Sequence, residues 1–215
     1  MRVEQEASGG VRALPARVGP PLAVVSVIAA ITLIVLGFLF AGQSSGAAVD
    51  IGIRASLRQL DSPWPQIALV IDWTGEPVGA TLVLVTLVVV FLRMGNRRAA
   101  VLMIAGTGAA VVVTSAMKPL VGRTINDGFL SFPSGHTASA TAYVLIAMLV
   151  VVGRGRTVWW LLMAVPAAAV MAWAQVLLNA HYPTDTFGGF CATLAVVPAV
   201  AWAIDWIADR RSTVN

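Results

Sequence analysis

Charged residues are the scarcest feature of this sequence. Only 11% of its 215 residues are Asp, Glu, Lys or Arg, while 58% are hydrophobic and the mean hydropathy is +0.85. Typical soluble domains carry about 25% charged residues. This deficit excludes an ordinary soluble protein and predicts an integral membrane protein.

Cysteine, histidine and acidic residues are also rare. The single cysteine, Cys191, cannot form an internal disulfide and is interpreted as a small apolar packing residue. The net charge of +4 reflects basic residues in loops, and no basic cluster with interleaved aromatic residues indicates nucleic-acid binding. We therefore expect no nucleic-acid partner, and the sequence indicates nothing about protein partners.

Long charge-poor stretches dominate what remains. At about 1.5 Å per helical residue, each can cross or nearly cross a hydrocarbon core of about 30 Å. The predicted spans are Pro21–Gly42, Pro77–Leu92, Ala99–Met117, Thr137–Val152, Val158–Leu178 and Thr186–Ile204. We therefore predict a single all-α membrane domain over residues 1–215, a bundle of six transmembrane helices. The first span exceeds a signal-peptide core in length, so we expect an uncleaved anchor.

Basic residues predict the orientation, because they favour the cytoplasmic side. Most of them fall in loops on one side of the predicted bundle, where they precede span 1, separate spans 2 and 3, and follow spans 4 and 6. The opposite side holds only Arg54, Arg58, Lys118 and Arg123. This bias predicts cytoplasmic termini, with residues 1–19 as a cytoplasmic tail, and an outer face that carries the loops 118–136 and 179–185.

The outer segment 43–76 contains a further element, predicted as an amphipathic helix over Asp50–Asp61 in the membrane interface. Its apolar and polar residues recur at helical spacing on different faces: Ile53, Leu57 and Leu60 on one, Arg54, Arg58 and Asp61 on the other. A lid that only seals the bundle and a substrate contact through Arg54 or Arg58 are both open interpretations.

A polar tetrapeptide, Pro133-Ser134-Gly135-His136, stands at the start of the fourth span. Proline suits the first turn of a helix, where the backbone amides have no intrahelical acceptor and the dipole is positive. Such a helix start can bind an anion. The alternative is that Ser134 only caps the helix and His136 is an interfacial polar residue.

Two further outer segments carry polar chemistry. Lys118 and Arg123 lie five residues apart after the third span, and His181 lies four residues before Asp185 between the fifth and sixth. A carboxylate at that spacing can orient one imidazole nitrogen and leave the other free to attack. A metal site built from two histidines and an aspartate is the competing interpretation. A nucleophile, an orienting carboxylate, a general acid and anion donors are what phosphoryl transfer through a phosphohistidine requires.

These segments resemble the motifs of the type 2 phosphatidic acid phosphatase superfamily, membrane lipid phosphatases that share a core with vanadium haloperoxidases and bacterial acid phosphatases. The second motif, Pro-Ser-Gly-His, is intact, the third keeps His181 and Asp185, and Lys118 fits the first. The resemblance implies that His181 is the nucleophile, Asp185 its orienting group and His136 the acid. It also implies phosphate binding by Lys118, Ser134 and Gly135, with no metal or cofactor.

Two arginines of the family pattern are absent in register. Ile125 and Asn126 occupy the positions of the Arg-Pro pair, and Ala174 and Gln175 those of the Ser-Arg pair. Arg123 is expected to reach the phosphate from a neighbouring position, with Gln175 or Asn179 as weaker neutral donors.

The function expected from the sequence is hydrolysis of a lipid phosphate or diphosphate on the extracytoplasmic side of the cell membrane. Candidate substrates are a polyprenyl diphosphate, a polyprenyl-linked sugar phosphate, phosphatidylglycerol phosphate and phosphatidic acid. A non-hydrolytic lipid-phosphate-binding protein or partner subunit is the main alternative, motivated by the absent arginines. A transporter is a weaker one, because the spans lack charged residues at mid-membrane depth.

Overall fold

The structure, a computed structural model, describes residues 12–126, 128–156 and 158–212. Residues 1–11, which form most of the predicted cytoplasmic tail, lie outside these ranges. The described α-helices are α1 (Gly19–Leu39), α2 (Ala48–Leu57), α3 (Trp64–Trp73), α4 (Pro77–Arg93), α5 (Arg97–Val121), α6 (Gly135–Gly153), α7 (Ala164–Leu177) and α8 (Pro183–Ser212). Strands β1 (Thr124–Ile125) and β2 (Phe129–Leu130) form an antiparallel hairpin between α5 and α6.

Four helices are long and apolar enough to cross a membrane, namely those at Ala16–Leu39, Arg97–Val121, Gly135–Gly153 and Pro183–Arg211. They correspond to the predicted first, third, fourth and sixth spans. Helices α3 and α4 form a pair bent by 61°, which makes a fifth span if the pair is counted as one. The predicted span Val158–Leu178 is a 3₁₀ turn, Val158–Met163, followed by the 14-residue α7, so the structure confirms a helical membrane protein but not the count of six.

Helix α6 lies at the centre of the bundle and α1 at its edge. In its most apolar window, 61% of the α6 residues are buried, against 22% for α1. Helix α6 packs against α5, α7 and α8, and its Leu145 and Ile146 join Met103 of α5 in the core. Exposed side chains such as Ile28, on α1, belong to a surface that suits contact with lipid tails.

The predicted amphipathic helix is present but shorter, because α2 ends at Leu57. Its polar side faces the protein: Asp50 is fully buried and Arg54 is half-buried, whereas Ile51 and Ile53 are exposed. The apolar stretch 67–71, which follows Pro65, belongs to a helix of its own, α3. The outer segment therefore contains two helices rather than one.

Two glycines of α8 let α6 begin directly against it. A Cβ on Gly189 would collide with the carbonyl oxygen of Ser134, and one on Gly188 would collide with the ring of Phe132. Small residues allow close helix contacts of this kind in membranes. The approach brings the loop before α6 and the first turn of α8 together, and Ser134 N donates to Asp185 O at 2.9 Å.

We expect Gly189→Ala to destabilise the protein and displace the Ser134 loop, because the obstructing atom is backbone and cannot move aside. Overpacking of this kind costs about 1–3 kcal/mol, measurable as a lower Tm in detergent. The matched control is Gly108→Ala on α5, where an added Cβ has open space and no loss of Tm is expected. Equal Tm values for the two variants would contradict the close packing of α6 on α8.

Candidate active site

His181 lies in the turn between α7 and α8 and is only 6% exposed. Helix α8 begins at Pro183, which suits a first helical turn, so His181 lies before the helix rather than on its face. Asp185 in that turn accepts a hydrogen bond from Tyr182 N at 2.9 Å, and its Oδ2 is 3.7 Å from His181 Nδ1. That separation is an ion-pair contact, longer than a hydrogen bond. The carboxylate faces Nδ1, which leaves Nε2 as the nitrogen available for chemistry.

The other carboxylate oxygen of Asp185 binds Arg123. Arg123 Nη1 donates to Asp185 Oδ1 at 2.6 Å and to Thr184 Oγ1 at 2.7 Å, while Nη2 donates to Asp50 Oδ2 at 2.8 Å. The Arg123 side chain has no exposed surface. Both of its terminal nitrogens are therefore already bonded, while Nε is buried without a partner among the described residues. The phosphate-binding role of Arg123 stays a prediction.

Asp50 of α2 completes this buried network and was not among the residues selected from the sequence. Besides Arg123, it accepts hydrogen bonds from Thr184 N and Thr184 Oγ1, both at 2.9 Å, and from Ala47 N. Asp50, Arg54 and Arg58 follow one another at four-residue spacing. That stripe is the signal that could have indicated a polar face directed at the protein.

Ser134 caps α6 instead of standing within its first turn. Its Oγ accepts from Thr137 N at 3.3 Å, and its own amide is bonded to Asp185 O. Pro133 therefore precedes the cap and lies outside the first helical turn in which it was predicted. The helix begins at Gly135, and because first-turn amides have no intrahelical acceptor, the amides of Gly135 and His136 remain as anion donors.

His136 faces two carboxylates that the sequence analysis did not select. Its Nε2 is 3.6 Å from both Asp72 Oδ1 and Glu76 Oε1, at the bend between α3 and α4. A Cβ on Gly75 would collide with the imidazole ring, so glycine allows this bend to pass directly over His136. In the sequence, the spacing of Asp72 and Glu76 just before the proline that begins α4 is the signal that could have indicated these two carboxylates.

The positions that hold arginine in the family pattern carry neutral, engaged side chains. Gln175 is 1% exposed, and its amide nitrogen donates to Asp72 Oδ1. Ile125 is 3% exposed, and Asn126 exchanges side-chain hydrogen bonds with Asn179 at the α7–α8 turn. Gln175 and Asn179 are thus not free to serve as the neutral phosphate donors predicted from the sequence.

Lys118 lies in the last turn of α5, half-buried. Arg123, five residues later, donates to Asp185 Oδ1 at 2.6 Å, and Ser134 N donates to Asp185 O at 2.9 Å. The three separated segments predicted to form one site therefore converge.

One group of described residues could hold a metal ion. A ligand atom from each of Asp72, Glu76 and His136 lies within 4.8 Å of the others, and oxygen and imidazole nitrogen are common ligands of divalent ions. This set contains one histidine and two carboxylates, unlike the two-histidine set considered from the sequence. Absence of a metal requirement stays a prediction.

The sequence model of the PAP2 superfamily matches residues 81–209, more than half of the chain. The chain belongs to the PAP2 superfamily. The match contains the three motif segments but not the outer helix with Asp50 or the bend with Asp72 and Glu76. The family predicted from the motif residues is therefore confirmed.

Similarity to individual proteins agrees with this family. Phosphatidylglycerophosphatase B of Escherichia coli K12 and the protein of that name from Shigella flexneri are each 33% identical over 84 residues. That region is 37% of this chain and only 30% of those relatives. The crystal structure of a transmembrane PAP2-type phosphatidylglycerolphosphate phosphatase from Bacillus subtilis is similar in fold, with a TM-score of 0.67 and 20% identity over 84% of this chain and 95% of that one.

We expect Asp50→Ala to lower the Tm strongly, because it leaves Arg123 buried with half of its charge partners. Breaking a buried ion pair costs about 3–5 kcal/mol. The matched control is Asp61→Ala, an exposed aspartate just beyond α2, for which a loss below about 0.5 kcal/mol is expected. A silent Asp50→Ala variant in a thermal melt would show that the network contributes no stability.

Proposed function

We propose that this protein hydrolyses the phosphate ester of a membrane lipid through a phosphohistidine on His181. The observation that carries the proposal is the joining of the His136 and His181 segments by the hydrogen bond from Ser134 N to Asp185 O, with each imidazole beside carboxylate oxygen. General acid–base and nucleophilic roles need this kind of pairing.

In the first step, His181 Nε2 attacks phosphorus and the bond from phosphorus to the lipid oxygen breaks. Protonated His136 transfers a proton to that oxygen, so the lipid leaves as an alcohol. Asp185 stabilises the positive charge that forms on His181. Lys118 and the amides of Gly135 and His136 bind the phosphoryl oxygens, whose charge must be stabilised by preorganised donors.

In the second step, water attacks the phosphorus of the phosphohistidine and the phosphorus–nitrogen bond breaks. The now neutral His136 accepts a proton from that water. Inorganic phosphate leaves, and both imidazoles return to their starting states. The same residue thus acts as acid and then as base, as microscopic reversibility requires.

Carboxylates position the two imidazoles in this proposal. Arg123 holds Asp185 in place and does not touch the phosphate. Asp72 and Glu76 face Nε2 of His136 and leave Nδ1 to donate to the leaving oxygen. Ser134 acts as the helix cap that aims the amides of Gly135 and His136.

The lipid chain is assigned to an apolar cleft beside the site. The cleft has a volume of about 560 Å³ and is lined by side chains of α3, α4, α6 and α7, among them Thr74, Ala140 and Met171. Thr74 is two residues from Asp72, so a lipid chain in the cleft would have its headgroup near His136.

Phosphatidylglycerol phosphate is the first substrate to test, because the similar proteins are named for it. A polyprenyl phosphate or diphosphate and phosphatidic acid follow.

The topology belongs to the same proposal. We infer six passes, with α4 and α7 as the shorter ones, cytoplasmic termini, and the site on the extracytoplasmic face of the cell membrane. The basic loops on the opposite side support this orientation. No metal is required by the proposed steps.

His181→Ala and His136→Ala should each abolish release of inorganic phosphate from phosphatidylglycerol phosphate by the purified protein. Loss of a nucleophile or general acid reduces turnover by at least about 10²-fold. Acid-labile ³²P labelling should appear in the wild type during turnover and be absent from His181→Ala. Activity that survives His181→Ala would overturn the nucleophile assignment.

Both variants should keep the wild-type Tm, which controls for loss of folding. The activity of the wild-type protein should persist in EDTA. Loss of activity in the chelator, restored by a divalent ion, would instead assign Asp72, Glu76 and His136 to a metal.

Ala140→Trp should obstruct the cleft and raise KM for long-chain lipid phosphates by at least about tenfold, since each buried methylene is worth about 0.8 kcal/mol. A six-carbon analogue should be unaffected. The control is Ala105→Trp, on the exposed surface of α5. Equal effects on long and short chains would place the lipid elsewhere.

The second candidate is a non-hydrolytic lipid-phosphate binder. It is favoured by the engagement of Gln175 with Asp72, because a neutral side chain stands where the family pattern has arginine. Saturable lipid-phosphate binding by the wild type, without phosphate release from any lipid in the series, would support this candidate.

A further inference from the structure

A phosphate dianion needs more positive charge than the residues assigned above provide. Arg123 is occupied by two carboxylates, and Asp72 and Glu76 bring further negative charge to the site. Lys118 alone does not balance them. The question is which cations of this chain replace the two arginines that the family pattern contains.

Helix α2 carries two such cations to the turn that holds His181. Arg54 Nη2 and Arg58 Nη2 both donate to Asn179 Oδ1, the latter at 3.0 Å. Asn179 lies two residues before His181. Arg54 also stacks on the ring of Tyr182, the residue after His181, with its Cζ 4.8 Å from the centroid.

These two guanidinium groups have unused binding capacity. Among the described residues, neither has a carboxylate within ion-pair distance, and they converge on one neutral oxygen although like charges repel. Arg54 Nε is buried and has no hydrogen-bond partner. Unpaired donors around a shared point are the arrangement that an anionic ligand would complete.

The position of α2 is fixed independently of this pair. Asp50, one turn before Arg54, is buried against Arg123 and Thr184 at the start of α8. The helix therefore presents Arg54 and Arg58 from a rigid anchor. Arg54, Arg58 and Arg123, three of the four basic residues predicted on the outer side, thus contact the α7–α8 turn or the start of α8.

We propose that Arg54 and Arg58 are phosphate-binding residues that supply, from the outer helix, the positive charge absent at Ile125 and Gln175. Their ligand is a phosphate group bound at His181, either a lipid headgroup or free phosphate. For turnover the proposal rests on the proposed function; for binding it does not.

The test measures KM for phosphatidylglycerol phosphate in purified Arg54→Ala, Arg58→Ala and the double variant. It also measures the dissociation constant of inorganic phosphate by calorimetry. Each single substitution should raise both the KM and the dissociation constant by about tenfold or more, the range of a charge-assisted hydrogen bond. Replacing each arginine by lysine instead should recover part of the loss. Arg93→Ala, an exposed arginine at the end of α4, is the matched control and should be silent.

The Asn179→Gly variant distinguishes phosphate binding by the two arginines from a purely structural role. Asn179 has a φ of 63°, which glycine adopts freely, so this variant removes the shared acceptor and keeps the turn. Phosphate binding within about threefold of wild type would support the proposal. A loss equal to that of the double arginine variant would overturn it, since the arginines would then only hold the turn.

The two sources of failure are distinguishable. Binding of inorganic phosphate that depends on both arginines, without lipid hydrolysis, would retain this inference and remove the proposed function. If the double variant hydrolyses lipid and binds phosphate as the wild type does, at an unchanged Tm, the proposed function is retained and this inference is overturned.

Discussion

The buried contact between Arg123 and Asp185 is the interaction on which the site depends. Two opposite charges without exposed surface need further hydrogen bonds to offset the loss of water. Here Asp50 and Thr184 bind the terminal nitrogens of Arg123, whereas its Nε has no partner among the described residues. The contact joins the loop after α5, the helix α2 and the first turn of α8. His181 is placed against Asp185 as a consequence of this network.

The two imidazoles lie in different electrostatic environments. His181 faces one carboxylate that is itself neutralised by Arg123, whereas His136 faces two carboxylates with no guanidinium beside them. The proposed acid and the proposed nucleophile thus each have carboxylate partners of their own.

The charge of the site is distributed differently from the motif pattern. Where the pattern has arginine, the chain buries Gln175 and Ile125, and cations reach the His181 turn from α2 instead. Helix α2 lies outside the region matched by the family model. In the proposed arrangement, the outer segment is therefore part of the site and not only a cover over it.

The sequence by itself determined the membrane class, the four long spans and the residues of the three motifs, because these follow from composition and from spacing over a few residues. It selected His136, His181, Asp185 and Lys118 as one site, which stays a prediction; the structure brings the segments that carry them together. It also placed the start of α4 at Pro77, but it did not give the end of α2 at Leu57 or the separate helix α3.

Only the tertiary structure decided the partners of those residues. Asp50 and Arg123 are 73 positions apart, and Gln175 and Asp72 are 103 apart; no periodicity relates such pairs. The sequence indicated that Arg123 was unusual on the outer face, but its burial against two carboxylates depends on how α2 packs over α8. Local pattern selects residue types for an element, whereas the pairing of distant charges is set by the packing of whole helices.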